Sequence, residues 1–151
     1  MRCKFCDEAI PQITFDLGNA AISNALIQEA NLHSSEETFP LILYTCPQCF
    51  LVQVEEQVPS DRIFNDEYVY FSSLSKFWLQ HAKSFCENIK SYLNLDSKSF
   101  VLEIASNDGY LLRNFVDQGI NCLGIEPTKS TADVALSKGV PTLIEFFKIK
   151  L

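Results

Sequence analysis

The sequence predicts an α/β protein with two successive organisations, a small cysteine-clamped section and then the opening half of a parallel sheet covered by helices. Three observations predict it. Two Cys-x-x-Cys pairs stand at Cys3/Cys6 and Cys46/Cys49. The stretch from Phe100 to Pro127 reads as strand, polar loop, helix and strand. Between them, Trp78, Ala82, Phe85, Ile89 and Leu93 recur at helical spacing. The expected divisions are a metal-binding section over residues 1–60, a connecting segment and helix over 61–98, and a ligand-binding part over 99–151.

In the first section the two knuckles can present four thiolates at the corners of a tetrahedron, the arrangement zinc takes in structural sites. Cys3, Cys6, Cys46 and Cys49 are therefore the candidate metal ligands. Disulfides are the alternative, but Met1-Arg2-Cys3 opens no apolar signal segment and Cys86 and Cys122 would be left over. Iron also suits a tetrahedral thiolate site. All four positions are filled by protein, so the metal is expected to hold the fold rather than to do chemistry. Leu17-Gly18-Asn19 reads as a turn and residues 31–38 as a surface loop. Pro40–Tyr44 and Phe50–Val54 read as two strands with the second knuckle at their turn.

Residues 61–75 form a connector containing Tyr68-Val69-Tyr70-Phe71-Ser72-Ser73. Aromatics alternating with hydroxyls read, in isolation, as an edge strand. The helix after Ser75 places one apolar stripe toward the sheet, with His81 beside the stripe. Cys86 and Cys122 fall within apolar patterns and read as buried hydrophobes.

In the third section Val101, Leu102, Ile104 and Ala105 make a short apolar run that ends in small, turn-prone residues, the pattern of a buried parallel strand opening into a binding loop. Gly109 is expected to let backbone approach a ligand. A helix is expected over 110–116 with Gly119 at its end, then a strand over 120–126, a helix over 128–138 stopped by Gly139, and a third strand over 141–147. Ligands bind such βαβ units at the carboxyl ends of the strands. Glu126 stands where a carboxylate accepts both hydroxyls of a ribose. A dinucleotide loop would read Gly-x-Gly-x-x-Gly; this one reads Ala105-Ser106-Asn107-Asp108-Gly109, which suits a ligand with ammonium, carboxylate or sulfonium groups, such as S-adenosylmethionine. An ordinary βαβ unit with a polar loop and an edge glutamate is the plain alternative.

Composition bounds these readings. Among 151 residues the net charge is −7 and 47% are hydrophobic. No basic patch interleaved with aromatics offsets that charge, which opposes nucleic-acid binding. No apolar run approaches the roughly 20 residues that span a bilayer, so a cytoplasmic location is expected.

Taken together, the paired knuckles, Leu17-Gly18 with Ser23-Asn24, Pro40-Leu41, the string from Tyr68 to Ser73, Glu103-Ile104-Ala105-Ser106-Asn107-Asp108-Gly109-Tyr110-Leu111-Leu112 and Gly124-Ile125-Glu126-Pro127 resemble the nucleotide-sugar C-methyltransferases. The resemblance implies a small zinc-ribbon-like domain followed by the first half of a Rossmann-like, class I methyltransferase sheet. It implies methylation of a 4-keto deoxysugar carried on a nucleoside diphosphate, with S-adenosylmethionine as donor. Glu103, Ala105, Ser106, Asn107, Asp108 and Gly109 would surround the methionine part of that cofactor, Glu126 its ribose, and Tyr70, ahead of Tyr68, would face the sugar or the methyl group as part of an active-site wall. The chain departs from the family in supplying three strands of a larger sheet and no histidine-containing base motif. It is thus expected to be a truncated or split form that is oligomeric or relies on a partner segment to cover the open sheet; a noncatalytic zinc-binding and nucleotide-fold interaction module is the alternative.

Overall fold

The computed structural model describes residues 1–148. The chain divides into two compact units, Met1–Ile63 and a second beginning at Phe64. Residues 149–151 of the expected third section lie outside the described residues.

The first unit is built on a three-stranded antiparallel sheet in the order β1 (Phe15–Ala21), β2 (Thr38–Thr45), β3 (Val52–Val54). Leu17-Gly18-Asn19 is not the turn its composition predicts. It lies inside β1, where the register against β2 shifts between Asp16 and Asn19. Gly18 takes φ +76° there and its N–H bonds the Asp16 carboxylate at 2.8 Å, so turn chemistry is spent on a β-bulge rather than a chain reversal. The two strands expected around the second knuckle are present as β2 and β3, with Leu43 opposite Val54 and Thr45 opposite Val52. A small core of Cys3, Ile10 and Cys46 sits beneath the knuckles. A one-turn helix, α1 (Ser60–Ile63), closes the unit.

The second unit has a three-stranded parallel sheet, β4 (Phe100–Ile104), β5 (Asn121–Ile125) and β6 (Thr142–Leu143), in sequence order across the sheet. Mixed α/β architecture with a parallel sheet is therefore what the chain forms. Helix α2 (Lys76–Leu93) starts where Ser75 accepts a hydrogen bond from the Trp78 N–H and ends at Asn94 in the left-handed region. Its buried face is Ala82 and Cys86. The predicted stripe is rotated: Trp78, Phe85 and Leu93 stay substantially exposed, because the face turned inward is the one whose small side chains let the helix approach Leu112 and Phe115. His81 is exposed, contrary to its expected boundary position, with its ring stacked on Trp78 at 5.2 Å. Cys86 and Cys122 are buried in the cluster with Leu112, Phe115, Ile120, Ala135 and Val140, as their apolar settings predict. Burial pushes the Cys86 thiol up to about 11.

Three further expectations are corrected. Residues 68–73 form no strand; the segment ends in a 3-10 turn over Ser72–Leu74. The helix expected over 110–116 shrinks to α3 (Arg113–Val116), because Asn107 and Gly109 take φ of +51° and +73° and residues 107–112 are spent in turns. The third strand is only Thr142–Leu143. Helix α4 (Lys129–Ser137) follows Thr128 and is succeeded by Gly139 at φ +78°, close to the predicted limits.

The parallel strands alternate strictly. Val101, Cys122 and Gly124 face the helices and the core, whereas Phe100 (63% exposed), Leu102 (48%) and Ile104 (52%) line a face that no described element covers. Among the described residues no helix is long and apolar enough to cross a membrane.

Gly124 is the tightest point of the sheet, since a Cβ there would lie 2.8 Å from Ser106 Cβ. Gly124→Ala should therefore destabilise the second unit by about 1–3 kcal/mol through overpacking, read as a lowered urea midpoint. An unchanged midpoint would show that Ser106 has room to move aside.

Candidate functional site

The metal centre forms from two similar turns. In each knuckle the N–H of the residue after the second cysteine returns to the first cysteine's carbonyl, Asp7 to Cys3 and Phe50 to Cys46, both at 3.0 Å, and both residues adopt positive φ. The Sγ atoms of Cys3 and Cys49 are 3.6 Å apart and those of Cys6 and Cys46 3.5 Å; all four lie within 4.8 Å of one another. A zinc ion with Zn–S bonds of about 2.3 Å needs tetrahedron edges of roughly 3.8 Å, so the thiol set fits the ion with only small adjustment.

Donors around Cys3 and Cys46 favour their thiolates, whereas at Cys6 and Cys49 backbone donation is outweighed by burial and the neighbouring thiols, which raise both. The Phe5 N–H and Gln53 Nε2 point at Cys3 Sγ, and the N–H groups of Gln48 and Cys49 point at Cys46 Sγ, at 3.3–3.5 Å. Backbone N–H donation from Cys6, then the Gln53 amide, lowers the Cys3 thiol to about 6. The Cys49 N–H does the most to hold Cys46 below its ordinary value, against the opposing effect of burial. Gln53 was not singled out by sequence reasoning. Its signal was a polar residue inside Leu51-Val52-Gln53-Val54; it is buried, and its Oε1 accepts the Lys4 N–H at 2.9 Å while Nε2 serves the metal site.

In the second unit the chain leaves β4 through a loop of alternating handedness, with Ala105, Asn107 and Gly109 all at positive φ. The N–H groups of Ala105 and Ser106 both bond the Ile125 carbonyl at 2.8 and 3.2 Å. Glu126, at the end of β5 and 4% exposed, accepts the Asn107 N–H on Oε2 and the Thr128 N–H on Oε1, each at 2.9 Å. Each oxygen retains further acceptor capacity. Glu103, on β4, is pushed up to about 7 by burial and then by the charge of Glu126. Burial and Glu126 also raise Tyr68, and burial and Glu103 raise Tyr110. Two acids and two phenols thus feel one another's charge at the carboxyl ends of β4 and β5, where open α/β sheets leave a crevice, and Tyr70, half exposed, stands on the segment that carries Tyr68.

The predicted loop residues do not all face that crevice. Gly109 is constrained by packing and by its φ of +73°, because a Cβ would meet Val140 Cγ2 at 3.0 Å and Ala135 at 3.1 Å. Asn107 spends its side chain on the aromatic segment, accepting from Ser72 N at 2.8 Å and donating to the Tyr70 carbonyl at 3.1 Å. Asp108, fully buried, accepts from Ser73 N and Lys138 Nζ, both at 3.3 Å. Buried polar atoms that lack a protein partner include Glu103 Oε2, Ser106 Oγ, Asp108 Oδ1 and Thr128 Oγ1. Buried groups of this kind carry an energetic cost until something bonds them. Carboxylate oxygens and hydroxyls can accept from an ammonium group or from hydroxyls, so these atoms are the acceptors that a ligand bearing such groups would engage.

Four thiolates on twin knuckles, ahead of a parallel sheet with an acidic crevice at its strand ends, define a zinc-binding α/β protein. Residues 3–64 match a family model described as "Putative zinc binding domain". Over 143 residues the chain is 26% identical to the C-methyltransferase NovU of Streptomyces niveus, an alignment covering 93% of this chain and 33% of NovU. Over most of its length the chain is thus similar to a C-methyltransferase, and it spans about a third of that relative's length.

Two outcomes follow from the site. Cys46→Ser should reduce bound zinc from one equivalent to none and unfold the first unit, measured by elemental analysis and circular dichroism, while Cys86→Ser keeps the metal. For Glu103, a folded pKa raised to about 7 from an ordinary 4.5 means that burying the charged form costs stability. Stability of the second unit should fall as pH rises from about 4.5 to 7, and Glu103→Gln should flatten that dependence in urea titrations at pH 5 and pH 8.

Proposed function

We propose that the second unit is the cofactor-holding part of an S-adenosylmethionine-dependent C-methyltransferase of the Rossmann-like class, that the first unit is its zinc-ribbon-like domain, and that the substrate is a 4-keto deoxysugar on a nucleoside diphosphate. The observation that carries this reading is the Glu126 carboxylate, fixed by two backbone N–H groups at the tip of β5 beside buried acceptors that lack partners. A diol bound to that carboxylate would be held in one orientation.

In this reading Glu126 takes the ribose. Glu103, Ser106 and Asp108 offer acceptors to the methionine end, and Ala105, Asn107 and Gly109 shape the loop around it. When bound, the cofactor supplies an electrophilic methyl group on a sulfonium. A carbon nucleophile has no spare lone pair, so a proton next to a ketone must be removed by a general base. Tyr70 presents a half-exposed phenol toward the sugar and orients it. The zinc site has four protein ligands and therefore serves structure alone.

The uncovered face of Phe100, Leu102 and Ile104 belongs to the same reading. Parallel sheets are normally covered on both faces, which supports an assembly in which another segment or copy shields this one. The same observation favours the second reading, a noncatalytic module that binds a partner through that face.

Titrating the chain with S-adenosylmethionine tests the cofactor assignment. Glu126→Ala should weaken binding about 10–100-fold, since a lost hydrogen-bonded contact to a charged group is worth roughly 1–3 kcal/mol, with Glu126→Gln intermediate. Wild-type protein that binds none would overturn the reading, and turnover of a 4-keto nucleotide sugar separates the enzyme from the module.

A further inference from the structure

We infer that Asn107 and Lys138 are positioning residues that clasp the aromatic segment 68–73 onto the cofactor loop, so that the Tyr70 wall and the loop move as one body. The inference deepens the proposed function and rests on it for the identity of the ligand.

The segment has no sheet partner, and loop and α4 side chains satisfy much of its backbone. Asn107 bonds it on both sides of Phe71, at the Tyr70 carbonyl and the Ser72 N–H. Its own backbone N–H meanwhile goes to Glu126. One residue therefore joins the carboxylate assigned to the ribose to the stretch that carries Tyr70. Asp108 takes the next amide, Ser73 N. Lys138 then ties the assembly from the far end of α4: its Nζ reaches Asp108 Oδ2, the Asp108 carbonyl and Ser73 Oγ at 3.3, 3.4 and 3.3 Å. The lysine side chain is 25% exposed and the aspartate 0%, so removing the lysine strands a buried carboxylate, which is far costlier than losing a surface pair. A third tie runs from Ser130 Oγ to the Tyr68 carbonyl at 3.3 Å. With both elements bound to each other, any ligand that orders the loop must also order the wall that meets the second substrate.

Amide exchange followed by NMR on the full chain tests this. Asn107→Ala should speed exchange at Ser72, and Lys138→Met at Ser73, at least tenfold; Lys138→Arg should restore slow exchange, and Gly124, whose N–H bonds the Pro141 carbonyl in the sheet, should be unaffected. S-adenosylmethionine should slow Ser72, Ser73 and the loop together in the wild type, but in Lys138→Met only the loop and Ser72, with Ser73 left fast. Unchanged exchange at Ser72 and Ser73 in both variants overturns the clasp, as does equal loss of protection at Gly124, which would mean that these residues merely hold the sheet. If the cofactor slows nothing in the wild type while the variants still expose Ser72 and Ser73, the clasp stands and the cofactor assignment falls.

Discussion

The second unit depends on the carboxylate of Glu126. The loops after β4 and β5 each need a partner for a buried N–H, and one side chain supplies both, taking Asn107 on one oxygen and Thr128 on the other. A buried amide left without an acceptor costs on the order of 1–3 kcal/mol, so this single group fixes where the chain turns out of both strands. Everything at the crevice follows from that constraint. Asn107 is forced to positive φ with its side chain directed at residues 70 and 72. Ser106 is pressed over the bare backbone of Gly124, and Thr128 opens α4. Glu103 is left in an environment that resists a second charge.

The metal centre solves a similar problem with different atoms. Four sulfurs brought within 4.8 Å would repel one another as thiolates, and a divalent ion resolves this, while N–H groups of the two turns and the Gln53 amide spread the remaining charge. The positive φ at Asp7 and Phe50 closes each turn, with the N–H of that residue returned to the first cysteine's carbonyl. Because backbone supplies much of this support, the same turn is built with Lys4-Phe5 in one knuckle and Pro47-Gln48 in the other.

What could be read from the residues divides along the same line. The knuckles, the strands β4 and β5 and the helices α2 and α4 were legible because each depends on local spacing: Cys-x-x-Cys, a short apolar run, a helical period with Ser75 before it or Gly139 after it. The features that escaped depend on distant partners. Nothing in Tyr68–Ser73 says that its amides will be taken by side chains more than thirty residues away, so a strand was the natural expectation. Gly109 signals a special position, but only the packing of Val140 and Ala135 shows which kind. The Lys138 ammonium looks like an ordinary helix-end charge until Asp108 is placed beside it.

The two faces of the parallel sheet show the same economy from the apolar side. On the inner face Val101 and Cys122 pack into a continuous core with Phe115, Leu112 and Val140. On the outer face Phe100, Leu102 and Ile104 alternate with them in strict register and remain about half exposed or more. Full burial of such side chains is worth about 1.5–3 kcal/mol each, and roughly half of that is forgone at three neighbouring positions. A strand intended for a sheet with one wet face would carry polar residues there. The apolar sequence of β4 is therefore written for a two-sided sheet, and the polar groups at its carboxyl end likewise keep buried acceptors without protein partners.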